Sequence, residues 1–158
     1  MSKAFFKTFV QQNMDMIQHI CRAYARDAEE LKDFVQEVTI QLWRSHEKFE
    51  NRAKVSTWVY RVTLNVCLSM AKKNKRAIDS VPLDHINYSE DIDETEKEQI
   101  ELLYGNIRKL KEGDRAIVLL YLEDKSYKEI AEILGITVSN VGVKVNRLKN
   151  QLKSMING

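Results

Sequence analysis

Apolar positions recur at helical spacing along most of this chain. Leu31, Phe34, Val35, Val38 and Leu42 follow the i, i+3, i+4, i+7, i+11 pattern of one helix face. Asp33, Gln36 and Glu37 lie on the other side, with Ile40 among them and Trp43 at the edge. An apolar residue centred on a polar face reads two ways. It is a single exposed hydrophobe, which surfaces commonly carry, or the centre of a partner interface with an acidic rim. Spacing alone leaves both open. A second helix is predicted to start near Ser56, a good N-cap. Its buried stripe is Val55, Val59, Val62, Val66 and Met70, with Trp58 beside it. Arg61, Asn65 and Lys72 stack on the opposite side and lead into Lys72-Lys73-Asn74-Lys75-Arg76. A basic row ending in a basic cluster suits a phosphate backbone, and an asparagine can hydrogen-bond base edges or splayed bases. The same row also reads as a solvated helix face.

Upstream, Phe5, Phe6 and Phe9 with Val10 predict a short amphipathic helix, and Ile17, Ile20, Cys21 and Tyr24 a second, ended by a polar break at Arg26-Asp27-Ala28. Downstream of Arg76 the periodicity disappears. Asp79, Asp84, Glu90, Asp91, Asp93, Glu94, Glu96 and Glu98 face one base, Lys97, and Pro82 sits near the start. This composition predicts a flexible acidic linker over 77–96, its end able to join the next helix because acids favour a helix N-terminus. Ile100, Leu103, Ile107 and Leu110 then predict another helix. Glu112-Gly113-Asp114 is expected to stop it and cap the next, 115–122, which is apolar nearly all round and should be a second core. Period-two alternation is absent, so the expected fold is all-α: two small helical domains, 1–76 and 97–158, joined by the linker.

The last stretch carries the sharpest local signals. Ser126 with Glu129 makes a capping box ahead of Tyr127, Ile130, Ala131, Ile133 and Leu134. Gly135 permits a tight turn with positive φ, and Val141, Val145, Leu148 and Leu152 make the stripe of a following helix. Together these predict a helix-turn-helix whose second helix enters a DNA major groove. Its outward residues are Ser139, Asn140, Val143, Lys144, Asn146, Arg147 and Asn150. Arg147 can reach guanine or phosphate, Asn146 a base edge, and Val143 a thymine methyl. Lys144, with Lys149 and Lys153, suits phosphates. After Glu132 the chain has no further acid. The plainer alternative is two packed helices with no DNA role.

Total charge adds little, because 25 basic residues oppose 23 acidic ones for a net charge of +2. Cys21 and Cys67 sit at apolar helical positions without metal-ligand spacing, so no structural zinc is expected and a reduced cytoplasmic protein fits best. His19, near the edge of an apolar stripe, reads as a packing residue rather than a ligand, His46 and His85 have no partner at ligand spacing, and no carboxylate or histidine cluster suits a small nuclease. No apolar run is long enough to span a membrane, and the N-terminus lacks a signal-peptide core.

Asp33-Phe34-Val35-Gln36-Glu37-Val38 followed by Leu42-Trp43 resembles the polymerase-binding helix of bacterial sigma factors. Thr57-Trp58-Val59-Tyr60-Arg61-Val62-Thr63-Leu64-Asn65 resembles that family's promoter-melting helix. Ser126-Tyr127-Lys128-Glu129-Ile130-Ala131, then Leu134-Gly135-Ile136, is similar to its promoter-reading domain. The likeness is to the small extracytoplasmic-function group of the sigma-70 family. It implies a factor that binds core RNA polymerase, directs it to promoters and helps melt them, without metal or cofactor. The polymerase's largest-subunit clamp helices would meet Asp33, Gln36 and Glu37, a face that geometry extends to Ile40 and Trp43; the flap is the second polymerase contact implied. Non-template-strand contacts map onto Phe49 and Asn65, with Trp58, Arg61, Lys72, Lys73, Lys75 and Arg76 completing the downstream-element set. The linker would thread toward the active centre and the RNA path, and many relatives have an anti-sigma factor. One departure is Gly142-Val143, where many members have a basic and then a small polar residue. A stand-alone helix-turn-helix regulator is the alternative; it would leave the row from Arg61 to Arg76 idle.

Overall fold

The computed structural model describes residues 3–46, 55–74 and 93–157. These form seven helices: α1 (Lys3–Tyr24), α2 (Ala28–Ser45), α3 (Val55–Asn74), α4 (Glu94–Arg108), α5 (Glu112–Leu122), α6 (Tyr127–Leu134) and α7 (Val138–Asn157). They divide into two compact units, α1–α3 and α4–α7. Most of the linker expected over 77–96 lies outside the described residues. Its last three residues, Glu94–Glu96, are the first turn of α4, capped by the Asp93 carboxylate, which accepts the Glu96 N–H at 2.7 Å.

In the first unit all three helices pack on one another. The two short N-terminal helices expected from the sequence are one continuous α1. No glycine or proline interrupts the backbone between the two segments, and the Asn13 amide donates back to the Phe9 carbonyl at 2.9 Å. The buried stripe Phe6, Val10, Ile17, Ile20, Cys21 and Tyr24 runs its length. Asp27 caps α2 by accepting the Glu30 N–H at 2.7 Å, while Glu30 pairs with Arg26 at 2.9 Å. Phe34, Val38 and Leu42 on α2 are fully buried. Burying each such side chain stabilises the unit by about 1.5–3 kcal/mol.

The sequence reading of α3 needs two corrections. Ser56 is not the cap, because the helix is already under way at Val55, which is 45% exposed. The buried face is Thr57, Val59, Tyr60, Thr63, Leu64, Val66 and Cys67, whereas Val62 and Met70 are only half-buried. A helix packed against two neighbours buries a wide arc, and that arc can include a hydroxyl when its hydrogen bond is met. Thr63 Oγ1 donates to the Val59 carbonyl at 2.8 Å. The Cys67 thiol donates to Cys21 Sγ at 3.6 Å, and that bond, with burial, pushes the Cys67 thiol well above its ordinary range. The two cysteines are free and act here as packing residues joining α1 to α3.

In the second unit α5 is the core helix, with Ala116 to Leu120 all buried. Glu112-Gly113-Asp114 does not stop α4. That helix closes at Lys109 and Leu110, whose N–H groups bond the Asn106 and Ile107 carbonyls, and 112–114 is the first turn of α5. Acids there favour the helix through the N-terminal dipole. The capping box of α6 forms both ways, Glu129 N–H to Ser126 Oγ at 3.1 Å and Ser126 N–H to Glu129 Oε1 at 3.2 Å. Gly135 ends α6 at φ 70°, ψ 35°, the left-handed turn that glycine adopts without strain. Thr137 Oγ1 then accepts the Asn140 N–H at 3.1 Å to start α7, which seats Val141, Val145 and Leu148 in the core.

Candidate nucleic-acid and partner interfaces

On α2, Asp33 and Gln36 are exposed and Glu37 is half-buried, its carboxylate accepting the Gln41 amide at 2.8 Å. Ile40 and Trp43, three residues apart, are 37% and 38% exposed. Trp43 is also held from within the unit. Its ring stands edge-on to Phe6 at 5.0 Å and stacks on His46 at 4.5 Å. The face is therefore a partly exposed apolar pair beside polar residues, with one member held in place by other rings, as an interface anchor requires.

On α3, Arg61, Asn65 and Lys72 are exposed along one line, and Lys73 is exposed beside them. Asn65 stands at the rim of a groove of about 700 Å³ between α2 and α3. Val62, Val66 and Met70 give it an apolar lining, and Glu37, Gln41, Ser69 and Lys73 supply polar groups. The sequence reading placed Val62 and Met70 in the core and passed over Gln41 and Ser69. The readable signal for Gln41 was the row Glu37, Gln41, Ser45 at i, i+4, i+8. An apolar lining with hydrogen-bonding groups around it can take a flat heteroaromatic ring. Trp58 is differently placed. Its indole N–H donates to Ser45 Oγ at 3.2 Å and its ring stacks on Phe9 at 5.8 Å, so its polar edge is engaged inside the unit. Phe49, Lys75 and Arg76 lie outside the described residues.

On α7, Ser139, Asn140, Val143, Asn146, Arg147 and Asn150 are exposed, Val143 at 68%, and Lys144 is half-buried. At about 100° per residue, Ser139, Val143, Asn146 and Asn150 share the outermost strip. Asn140, Lys144 and Arg147 lie on one flank. Arg147 is tied there: its Nη2 donates to Asp114 Oδ1 at 3.1 Å. Lys149 occupies the other flank, its ammonium 4.6 Å from the centre of the Tyr121 ring, and a hydrogen bond with the Tyr121 side chain raises its pKa. Lys149 and Lys153 line an apolar groove of about 350 Å³ with Leu103, Tyr121, Leu122 and Ile156. That site differs from the purely phosphate-facing one the sequence suggested for both lysines.

A Cβ added at Gly142 would meet the Tyr127 ring at 3.6 and 3.8 Å, ordinary van der Waals contact. Gly142→Ala should therefore stabilise α7 by about 0.5–1 kcal/mol. The thermal midpoint of the second unit should rise by about 4–8 °C per kcal/mol. A lowered midpoint would show that α7 needs the glycine for close packing.

Residues 9–77 match the family model for sigma-70 region 2, and residues 100–152 match that for sigma-70 region 4. Among curated proteins, the chain is 26% identical to the ECF RNA polymerase sigma-E factor of Haemophilus influenzae, covering 98% of this chain and 88% of that one. It is 25% identical to the ECF RNA polymerase sigma factor SigW of Bacillus subtilis, covering 96% and 88%. Among solved structures it resembles the sigma factor RpoE of Bartonella quintana, crystallised with the anti-sigma factor NepR. There the TM-score is 0.78 at 17% identity, over 99% of this chain and 98% of that one.

Proposed function

The chain belongs to the extracytoplasmic-function sigma factors of the sigma-70 family, and from that premise we propose how its surfaces divide the work. It binds core RNA polymerase, directs it to specific promoters and helps melt them for initiation. The first unit docks on the polymerase's clamp helices through Asp33, Gln36, Glu37, Ile40 and Trp43. It holds the melted downstream element along Arg61, Asn65, Lys72 and Lys73, with an unstacked base at the groove beside Asn65. The second unit reads the upstream element as duplex through α7, and the polymerase flap is its protein contact. An anti-sigma protein is a further expected partner, and the site of action is the cytoplasm, where the polymerase works. No described helix is long and apolar enough to cross a membrane. Holding a melted strand takes binding energy rather than a nucleophile, so the proposal invokes no metal or cofactor.

The observation that carries this reading is the groove rimmed by Asn65, because it joins the polymerase-facing helix to the exposed basic row of α3. A stand-alone helix-turn-helix regulator, with the first unit a dimerisation or sensing domain, gives that basic row no task. Transcription by purified core polymerase, with and without the protein, on a library of promoters is the direct test. Without sequence-selective initiation that depends on the protein, the reading fails. Asp33→Ala and Gln36→Ala should each weaken core binding by about 1–2 kcal/mol, roughly 5- to 30-fold in Kd. Their far-UV circular dichroism should be unchanged. Wild-type affinity in both variants would remove this face as the docking site.

A further inference from the structure

We propose that Asp114, on α5, is a positioning residue for Arg147 that sharpens the base preference of α7 at the cost of general DNA affinity. This rests on the reading of Arg147 as a duplex contact. Residue types and spacing gave Asp114 no such role, since it precedes Arg147 by 33 residues. The two side chains are unequally placed. Asp114 is 15% exposed and Arg147 is 53% exposed, so the anchor is sheltered and the arginine remains available. Asp114 sits in the first turn of α5, where the helix dipole favours its charge. The adjacent Arg115 donates its Nε to the Leu110 carbonyl at 2.9 Å.

Exposed ion pairs stabilise folds little, so stability is a weak reason for this one. Its consequence lies in the guanidinium. Five N–H donors form a planar fork, and the Asp114 bond occupies one nitrogen. An arginine anchored this way loses less conformational freedom when it grips the two acceptors of a guanine edge. Left untethered, the same side chain can swing to a phosphate, which carries no sequence information. The carboxylate also repels phosphates and so lowers affinity for every duplex alike. Tethering the arginine and penalising indiscriminate binding both favour selectivity over strength.

The test uses holoenzyme and a duplex library randomised over the upstream element, selecting closed complexes. Arg147→Ala should flatten preference at one or two base positions. Asp114→Asn should flatten the same positions, reducing discrimination by about tenfold. Its total duplex affinity should rise, and the slope of log K against log salt should steepen by about one. Asp114→Glu, which keeps the carboxylate, should preserve the preference, and Asp114→Asn/Arg147→Ala should select as Arg147→Ala does. Circular dichroism and urea midpoints confirm that the variants compared are folded. The proposal is overturned if Asp114→Asn leaves sharp the positions that Arg147→Ala flattens, or if its salt slope is unchanged. If Arg147→Ala itself flattens nothing, the duplex reading of Arg147 fails first, and the role of Asp114 falls with it.

Discussion

Phe34→Ala is expected to destabilise the first unit severely and leave the second unaffected. Phe34 is fully buried on α2, the helix that packs against both α1 and α3. Removing a buried phenylalanine costs about 3–5 kcal/mol through lost transfer energy and an unfilled cavity. At about 0.05–0.15 kcal/mol per residue, that is much of the stability of so small a unit. The second unit has a core of its own in Ile107, Leu120, Ile130, Val141 and Leu148. The chain supplies its own probe, because it has two tryptophans and both, Trp43 and Trp58, lie in the first unit. In a urea titration the tryptophan fluorescence transition should move to much lower denaturant. Far-UV circular dichroism should become biphasic, its second step where it is in the unmutated protein. A single transition, moved as a whole in both signals, would mean that the units fold as one.

Sequence periodicity was most informative where the fully buried positions of a helix are all apolar. On α2 the predicted stripe is observed in its centre, with Phe34, Val38 and Leu42 fully buried, Leu31 and Val35 half-buried at its edges, and Asp33 and Gln36 exposed. The capping box at Ser126 and the left-handed Gly135 were legible because each is a local rule with one geometric solution. The reading failed on α3 for a physical reason. The buried face of α3 includes the hydroxyl residues Thr57 and Thr63, and the aliphatic Val62 and Met70 are left to line a groove. Hydropathy cannot anticipate a threonine whose hydroxyl is satisfied by its own helix. Gly113 misled in another way, because a glycine at a helix start imitates a stop signal. Long-range pairings were out of reach. Nothing in the spacing tied Asp114 to Arg147, Trp58 to Ser45 or Cys21 to Cys67, since each pair meets only once the helices pack.

Asn65→Ala and Arg147→Ala should damage initiation at different steps. Asn65 is exposed at the rim of the α2–α3 groove, with Arg61 and Lys72 on the same exposed line. A groove beside such a side chain suits a base that has left the stack. Its loss should cost about 1–3 kcal/mol of base contact. That loss belongs to the open complex, so permanganate reactivity of thymines in the melted segment should fall about 5- to 150-fold while closed-complex binding is nearly unchanged. Arg147 lies on α7, the helix proposed to meet intact duplex. Its loss should weaken closed-complex binding by a similar factor and reduce the salt dependence of that step. A promoter mismatched in advance over the melted segment separates the two further. It removes the cost of unpairing but cannot replace the lost asparagine, so it should rescue Asn65→Ala only in part. Normal opening by Asn65→Ala would end the single-strand role of the groove. If Arg61→Ala and Lys72→Ala also open promoters normally, the first unit contacts only protein, and the α3 row is a solvated face after all.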